Sequence, residues 1–216
     1  MYIYKKNAFT LAEVLITLGI IGIVAALTMP ALIANFKMKS YEVQFKKQYS
    51  ILQNAINQAV FENGMAYNCP TGAMAPASDT NECFALRDAV LAKLKIVKKC
   101  PRLSACNPFT KGLYKTRDIV LAEGGTTSNS SCTFNFANNS GANFLADGSI
   151  LYTGEQYNAA DYIFAIDING EKPPNKWGYD LFIPVPVMKN DNNILGDGTC
   201  QLYEKGGKKL SQMLSN

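Results

Sequence analysis

An acidic residue at the edge of a long apolar segment has the clearest chemical meaning in this sequence. The chain runs from Val14 to Phe36 without a charged residue, and Glu13 directly precedes this run. A carboxylate costs on the order of 2.5 to 3.5 kcal/mol at mid-membrane depth, and less near the interface. An export signal gains nothing from that cost, so Glu13 is a candidate functional residue. The alternative is a side chain that reaches the interface and marks topology.

Composition excludes several kinds of chemistry. The sequence has no histidine, which removes Ser-His and Cys-His nucleophile pairs, an imidazole base and zinc sites that need imidazole. The 21 Lys and Arg residues exceed the 17 Asp and Glu residues by only four. That surplus is too small and too scattered for a nucleic-acid footprint. Neither enzyme activity nor nucleic-acid binding is indicated.

The uncharged run is long enough for a membrane-spanning helix. As a helix it reaches about 35 Å, and a hydrocarbon core is about 30 Å thick. Lys5 and Lys6 precede it, and the positive-inside rule then keeps the N-terminus in the cytoplasm. We therefore expect a single-pass protein of the cytoplasmic (inner) membrane with an extracytoplasmic head. A secretory signal cleaved after Ala26, with Leu27 as the mature N-terminus, is a competing interpretation.

A resemblance to a known family begins at Lys5, in the segment KKNAFTLAEVLITLGIIGIVAALTMPALI. This segment is similar to the N-terminal cleavage and methylation segment of type IV pilins and type II secretion pseudopilins. In that family a prepilin peptidase cuts before a phenylalanine that is followed by Thr-Leu and then by an acid. The resemblance implies cleavage between Ala8 and Phe9, loss of a leader of residues 1–8, and N-methylation of Phe9. The family usually has glycine where this chain has Ala8.

The same resemblance gives Glu13 a partner. Cleavage before Phe9 would release an α-amine within one helical turn of Glu13, and a cation at the membrane edge requires an opposite charge. The pair could form within a subunit or between neighbours, and the resemblance favours neighbours. It also implies a polymer with other pilin-like subunits, which reaches the periplasm or the cell exterior after assembly. An assembly platform protein and an ATPase are the further implied partners.

Gly19, Gly22 and Pro30 interrupt the apolar segment. Proline removes one helical hydrogen bond and clashes with the preceding turn, which makes local unwinding easier. The resemblance implies that this stretch can unwind when subunits pack into a filament. Glycine and proline are also common in membrane helices, where small residues allow close packing, so both interpretations stay open.

Beyond Phe36 the pattern becomes amphipathic. Apolar residues recur every three or four positions and predict one buried helical face, with these members: Tyr41, Phe45, Tyr49, Leu52, Ile56 and Val60. We expect one helix from Phe9 to about Glu62, ended by Asn63-Gly64. Its membrane half is residues 9–36, and its amphipathic half is residues 37–62.

Residues 63–216 are expected to form a globular head. A second helix is predicted from about Asn81 to Val97. Strands are predicted at residues 132–137, in a hairpin around Asp147-Gly148, at 162–168 and at 179–185. The fold class is therefore α+β, with the long N-terminal helix packed on one face of an antiparallel β-sheet, a pilin-like arrangement.

The passage DINGEKPPNKWGYDLFIP is similar to the C-terminal sheet of many pseudopilins and minor pilins. Because some pseudopilins bind calcium in a nearby loop, Asp167, Asn169 and Asp180 are weak candidates for oxygen ligands. The residues do not have the ligand spacing of an EF-hand. An Asn-Gly turn held by Asp side chains explains the same residues without a metal, so no cofactor is expected.

All six cysteines follow the apolar segment: Cys69, Cys83, Cys100, Cys106, Cys132 and Cys200. This placement fits disulfides that form after export. Spacing ranks three pairings first: Cys100 with Cys106, Cys69 with Cys83, and Cys132 with Cys200. Free buried thiols are the alternative.

These features predict a membrane-anchored precursor of a pilin-like filament subunit, not an enzyme. A secretion pseudopilus, a type IV pilus and a DNA-uptake filament share this anchor, so the kind of filament stays open, as does major versus minor subunit. The alternative function is a membrane-anchored monomeric surface binding protein or adhesin that never polymerises.

Overall fold

The computed structural model describes residues 10–67, 80–128, 140–154, 163–190, 192–198 and 200–215. The chain divides into two compact units, Met1–Ser40 and Tyr41–Asn216. The described part of the first unit is helical from residue 11 onward. The second unit holds all the β-strands and is called the head below.

Helix α1 extends over Leu11–Asn63 and contributes to both units. It ends where expected, because Gly64 adopts a φ of 79°, a left-handed conformation that glycine adopts without a Cβ penalty. The Gly64 N–H donates to the Val60 carbonyl and closes the last turn. The predicted long helix is confirmed, and its expected start at Phe9 lies outside the described residues.

The head contains three further helices and nine strands among the described residues. The helices are α2 (Thr80–Lys93), α3 (Arg117–Ala122) and α4 (Leu210–Leu214). The strands are β1 (Ile96–Cys100), β2 (Thr126–Thr127), β3 (Ser140–Leu145), β4 (Ile150–Gly154), β5 (Phe164–Asp167), β6 (Leu181–Phe182), β7 (Pro184–Lys189), β8 (Asn192–Asp197) and β9 (Leu202–Tyr203).

Five strands form the main sheet in the order β1-β3-β4-β5-β6, with antiparallel neighbours. The predicted hairpin around Asp147-Gly148 joins β3 to β4, and it pairs Asn143 with Leu151. Strands β2 and β9 form a second sheet, and β7 and β8 a third. The predicted α+β class with an antiparallel sheet is confirmed.

The amphipathic face of α1 packs into the first core of the head. Phe45, Leu52 and Ile56 are buried there together with Leu151 and Phe182 of the sheet. The ring centroids of Phe45 and Phe182 lie 4.5 Å apart. The other members of the predicted face are partly buried against the same cluster, as the helical spacing predicted: Tyr41, Tyr49 and Val60.

The opposite face of the sheet has a core of its own. Trp177 is 1% exposed and lies there with Tyr114, Val120 and Tyr152. The Trp177 indole N–H donates to the Lys115 carbonyl at 3.0 Å, which satisfies the polar end of this large side chain. The sheet therefore buries both faces, and α1 contributes to the core on one of them.

One side-chain amide binds the backbone of β8, and one amide of β8 binds the backbone of Tyr67. The Gln53 amide of α1 donates to the Asn193 carbonyl at 2.9 Å and accepts from the Leu195 N–H at 2.8 Å. The buried Asn193 amide makes the same kind of pair with the backbone N–H and carbonyl of Tyr67, both at 2.8 Å. Because an open strand edge exposes unpaired polar groups, the Gln53 amide also protects β8, and the Asn193 amide fixes the strand to Tyr67.

Two predicted elements are wrong in extent. Helix α2 ends at Lys93 instead of Val97, because the β-branched residues Ile96 and Val97 start strand β1, which pairs with β3. The predicted strand at 179–185 is divided between β6 and β7, which belong to different sheets. Pro184 begins the second of them, where a proline interrupts ladder hydrogen bonding. The strand predicted at 132–137 lies outside the described residues.

Candidate functional site: the start of helix α1

Thr10 and Glu13 form a reciprocal capping box at the start of α1. The Thr10 backbone N–H and hydroxyl both donate to Glu13 Oε2 at 2.9 Å. In return, the Glu13 N–H donates to the Thr10 hydroxyl at 3.3 Å. Such a box satisfies backbone donors that a helix start leaves unpaired. It holds the Glu13 carboxylate toward the end of the helix at which cleavage before Phe9 would release an amine.

Sequence reasoning identified Glu13 and missed Thr10. The signal was present, because Thr-x-x-Glu before an apolar run is the sequence pattern of a capping box. The predicted cleavage residues Ala8 and Phe9 lie outside the described residues. Their role stays a prediction.

The apolar part of α1 is one uninterrupted helix that contains Gly19, Gly22 and Pro30. Among the residues that the structure describes, a Cβ atom at Gly19 or Gly22 would meet nothing within 4 Å, so no close contact with them requires either glycine. The Thr28 hydroxyl, two residues before Pro30, donates to the Val24 carbonyl at 2.9 Å. Unwinding of this stretch in a filament stays a prediction.

By length and composition, one helix in the described part of the chain could cross a membrane, and that helix is α1. None of its most apolar window is buried within the protein. A signal sequence near the N-terminus would pass the same test. The helix is therefore consistent with a single-pass anchor, and the side on which the head lies stays a prediction.

The structure brings the calcium candidates together, with their carboxylates engaged by protein donors. Asp167 accepts the Asn169 N–H at 3.1 Å and the Tyr114 hydroxyl at 2.5 Å. Asp180 accepts the N–H groups of Asn175 and Lys176 at 2.8 and 2.7 Å. These contacts fit a turn held by Asp side chains. Among described residues no group of three His, Cys, Asp or Glu side chains is placed to hold a metal. Both the weak calcium candidacy and the expectation of no cofactor stay predictions.

The two buried carboxyls have raised pKa values. Burial raises the pKa of Asp167 well above its usual range; the Tyr114 hydrogen bond acts against this rise, and the charge of Asp180 adds to it. Burial also raises the pKa of Asp180, against the effect of its backbone hydrogen bonds. Tyr114 in turn shares a hydrogen bond of 2.8 Å with the Tyr152 hydroxyl. The protonated form of Asp167 is therefore favoured by folding.

This shift predicts that the stability of the head falls as pH rises. A carboxyl with a raised pKa stabilises the fold fully below its unfolded value, about 3.9, and loses that contribution as pH rises through the folded value. Asp167→Asn, which imitates the protonated acid, should flatten this fall. Urea unfolding at a series of pH values measures it, with Asp118→Asn on the exposed side of α3 as control. An unchanged pH slope in Asp167→Asn would contradict the assignment.

The structure contains the predicted Cys100–Cys106 disulfide, with Cα atoms 5.9 Å apart. Cys83 and Cys200 are also disulfide-bonded, and the described residues include no free cysteine. Their predicted partners, Cys69 and Cys132, lie outside the described residues. Those two pairings therefore stay predictions.

The long α1 helix, its capped acidic start and the antiparallel sheet of the head are consistent with a pilin-like fold. Residues 3–29 match the family model of the prokaryotic N-terminal methylation motif, the signature of type IV pilins and pseudopilins. The match includes Ala8, Phe9 and Glu13 and ends before the head begins. No curated protein and no solved structure matches the chain.

Proposed function

We propose that this protein is the precursor of a pilin-like filament subunit, which a prepilin peptidase processes and which polymerises through α1. The observation that carries the proposal is the methylation motif at residues 3–29, placed directly on an apolar helix with a capped acid at its start. The N-terminal signature is common to type IV pilins and type II secretion pseudopilins. The proposal therefore includes both the type IV pilus and the secretion pseudopilus. Such a subunit has a structural role, not a catalytic one.

Cleavage of the Ala8–Phe9 bond would leave Phe9 as the N-terminus, one residue before the capping residue Thr10. The new α-amine would then lie at the same end of the helix as the Glu13 carboxylate. A subunit inserted out of register would leave one of these charges unpaired in lipid, which is costly. The pair between neighbouring subunits would therefore select a single axial step.

The rest of the apolar helix would anchor the precursor and then pack in the filament. Its large apolar side chains are exposed in the described part of the subunit, and exposed apolar surface costs free energy in water. An assembly platform protein and an ATPase would move the helix from bilayer to filament. Gly19, Gly22 and Pro30 would provide the local flexibility for that transfer.

Intact-mass and N-terminal analysis of the protein tests the processing step. Co-expression with a prepilin peptidase should yield a chain that starts at N-methylated Phe9, and expression without the peptidase should yield Met1. Ala8→Gly should be cleaved faster, since glycine is the usual residue before the cut in the family. A chain that keeps Met1 beside the active enzyme, or one that starts at Leu27, would contradict the proposal.

A further inference from the structure

A polar cavity of about 280 Å³ lies between α2 and the β1-β3-β4 part of the main sheet. Its walls include Arg87 and Asp88 of α2, Lys99 of β1, Asn143 of β3 and Thr153 of β4. The volume is close to the lower limit of about 300 Å³ for small-molecule sites. It suits a ligand of about one sugar ring.

Arg87 supplies one cation and is held by three contacts. Its Nη1 donates to the Gly154 carbonyl at 2.8 Å, and its Nε donates to Asp88 at 2.8 Å. The guanidinium carbon also lies 4.8 Å from the centroid of the Phe84 ring. The second terminal nitrogen, Nη2, makes no hydrogen bond with the described residues. A fixed guanidinium with two free N–H donors loses little entropy when it binds an oxygen ligand.

Lys99 supplies the second cation because of an irregularity in β1. The register shifts between Ile96 and Lys98, and after this bulge Lys99 pairs with Asn143 and shares its face of the sheet. Lys98 shares the other face, where its ammonium lies 5.1 Å from the centroid of the Phe144 ring. Within the described part of the chain, the Lys99 ammonium has no ion pair or hydrogen bond.

The floor of the cavity provides neutral polar groups. Asn143 and Thr153 are 5% and 3% exposed, on a sheet face where their neighbours are mostly apolar. The Asn143 Nδ2 donates to the Leu151 carbonyl at 3.1 Å and to the Thr153 hydroxyl at 3.3 Å. This leaves the Asn143 Oδ1 without a donor among the described residues, and the Thr153 hydroxyl hydrogen without an acceptor. Asn143 Oδ1 is not among the fully buried polar atoms that lack a partner, so it keeps some access to solvent.

The charges and the neutral groups together restrict the ligand. Two cations and the Asp88 carboxylate give the walls a net charge of one positive unit. A doubly charged phosphate would exceed the single net positive charge of the walls and would be repelled by Asp88. A neutral sugar would leave the cations without a counter-charge. A ligand with one carboxylate and several hydroxyls would balance the net positive charge and also form hydrogen bonds with Asn143 and Thr153.

We propose that this cavity binds a sugar acid, namely one hexuronate unit of an acidic saccharide. Its carboxylate pairs with Lys99 and the free edge of Arg87, and its hydroxyls bond to Asn143 and Thr153. The Cys100–Cys106 disulfide fixes the adjoining end of β1. The site belongs to the head alone and does not depend on whether the subunit polymerises.

Titration of the detergent-solubilised full chain with glucuronate, followed by saturation-transfer NMR and calorimetry at low salt, tests the site. We expect saturable binding with a Kd on the order of 1 mM, as suits a ligand of this size. Lys99→Gln should weaken it about tenfold, as loss of one charge-assisted hydrogen bond does. Lys98→Gln is the matched control, since it removes an equal charge from the other face of the same strand and should leave Kd within about twofold.

Three further compounds test which chemical class of ligand the cavity binds. Glucose, which has the hydroxyls without the charge, and acetate, which has the charge without the hydroxyls, should each bind at least about tenfold more weakly than glucuronate. Inorganic phosphate should also be weaker. Equal binding of glucose or of phosphate, an equal effect of Lys98→Gln and Lys99→Gln, or no saturation by glucuronate would each overturn the proposal.

Discussion

Glu13→Gln should reduce the filament yield at least tenfold while leaving the protein inserted in the membrane. Glutamine retains the shape of the side chain and can occupy the same position in a capping box, so the start of α1 should form as before. The variant lacks only the negative charge. The amine of a neighbouring subunit would then enter the filament unpaired, and an uncompensated charge in lipid costs up to about 2.5 to 3.5 kcal/mol.

Sheared filaments compared with total membrane-bound subunit give the measurement, after N-terminal analysis has shown that the variant is cleaved. Thr17→Val is the control, because Thr17 lies one turn further along α1 and its hydroxyl donates to carbonyls of its own helix at 2.9 and 3.0 Å, its only hydrogen bonds among the described residues. Chemical cross-linking in membranes should give ladders of subunits for the wild type and for Thr17→Val. Ladders and filaments at wild-type yield for Glu13→Gln would show that the charge of Glu13 is not needed for assembly.

Sequence patterns correctly predicted those helices and turns that are determined by residues within a single short segment. The spacing of Phe45, Leu52 and Ile56 indicated the face of α1 that packs in the head, and Asp147-Gly148 indicated the β3–β4 turn. Each signal follows from a backbone period or from the conformational freedom of glycine. Neither prediction requires information about a distant part of the chain.

The elements that prediction missed depend on partners far away in sequence. Strand β1 forms because β3, more than forty residues later, offers it an edge, and Lys98-Lys99 alone is typical of a helix end. Strand β8 is held by Gln53 and Asn193 amides, whose targets are not visible in any local period. Tertiary pairing therefore overrides local preference at these positions.

The candidate sites also differ in whether neighbouring residues alone could identify them. Glu13 could be identified because a charge beside an apolar run is unusual in any fold, and the Cys100–Cys106 pair because its two members are close in sequence. The cavity at Lys99 could not be identified, since its walls come from α2 and three strands. The face of the sheet on which Lys99 lies also depends on the bulge in β1. No residue type predicts that bulge.

Phe45→Ala should destabilise the head by about 3 to 5 kcal/mol, because it removes a ring that is 1% exposed and packed on Phe182. Phe61→Ala removes the same atoms from the same helix, yet Phe61 is 86% exposed, so its effect should stay within about 0.5 kcal/mol. The single tryptophan, Trp177, lies in the other core of the head and reports urea unfolding of the detergent-solubilised chain through its fluorescence.

The difference between Phe45→Ala and Phe61→Ala also affects assembly. A head whose free energy of unfolding falls by several kcal/mol populates unfolded forms, which proteases remove. Phe45→Ala should therefore lower the amount of subunit in the membrane, and it should lower filament yield only in proportion. Phe61→Ala should leave the subunit level unchanged. Equal destabilisation by both variants would mean that the second half of α1 is not part of the head's core, and the packing described for Tyr41 to Val60 would be wrong.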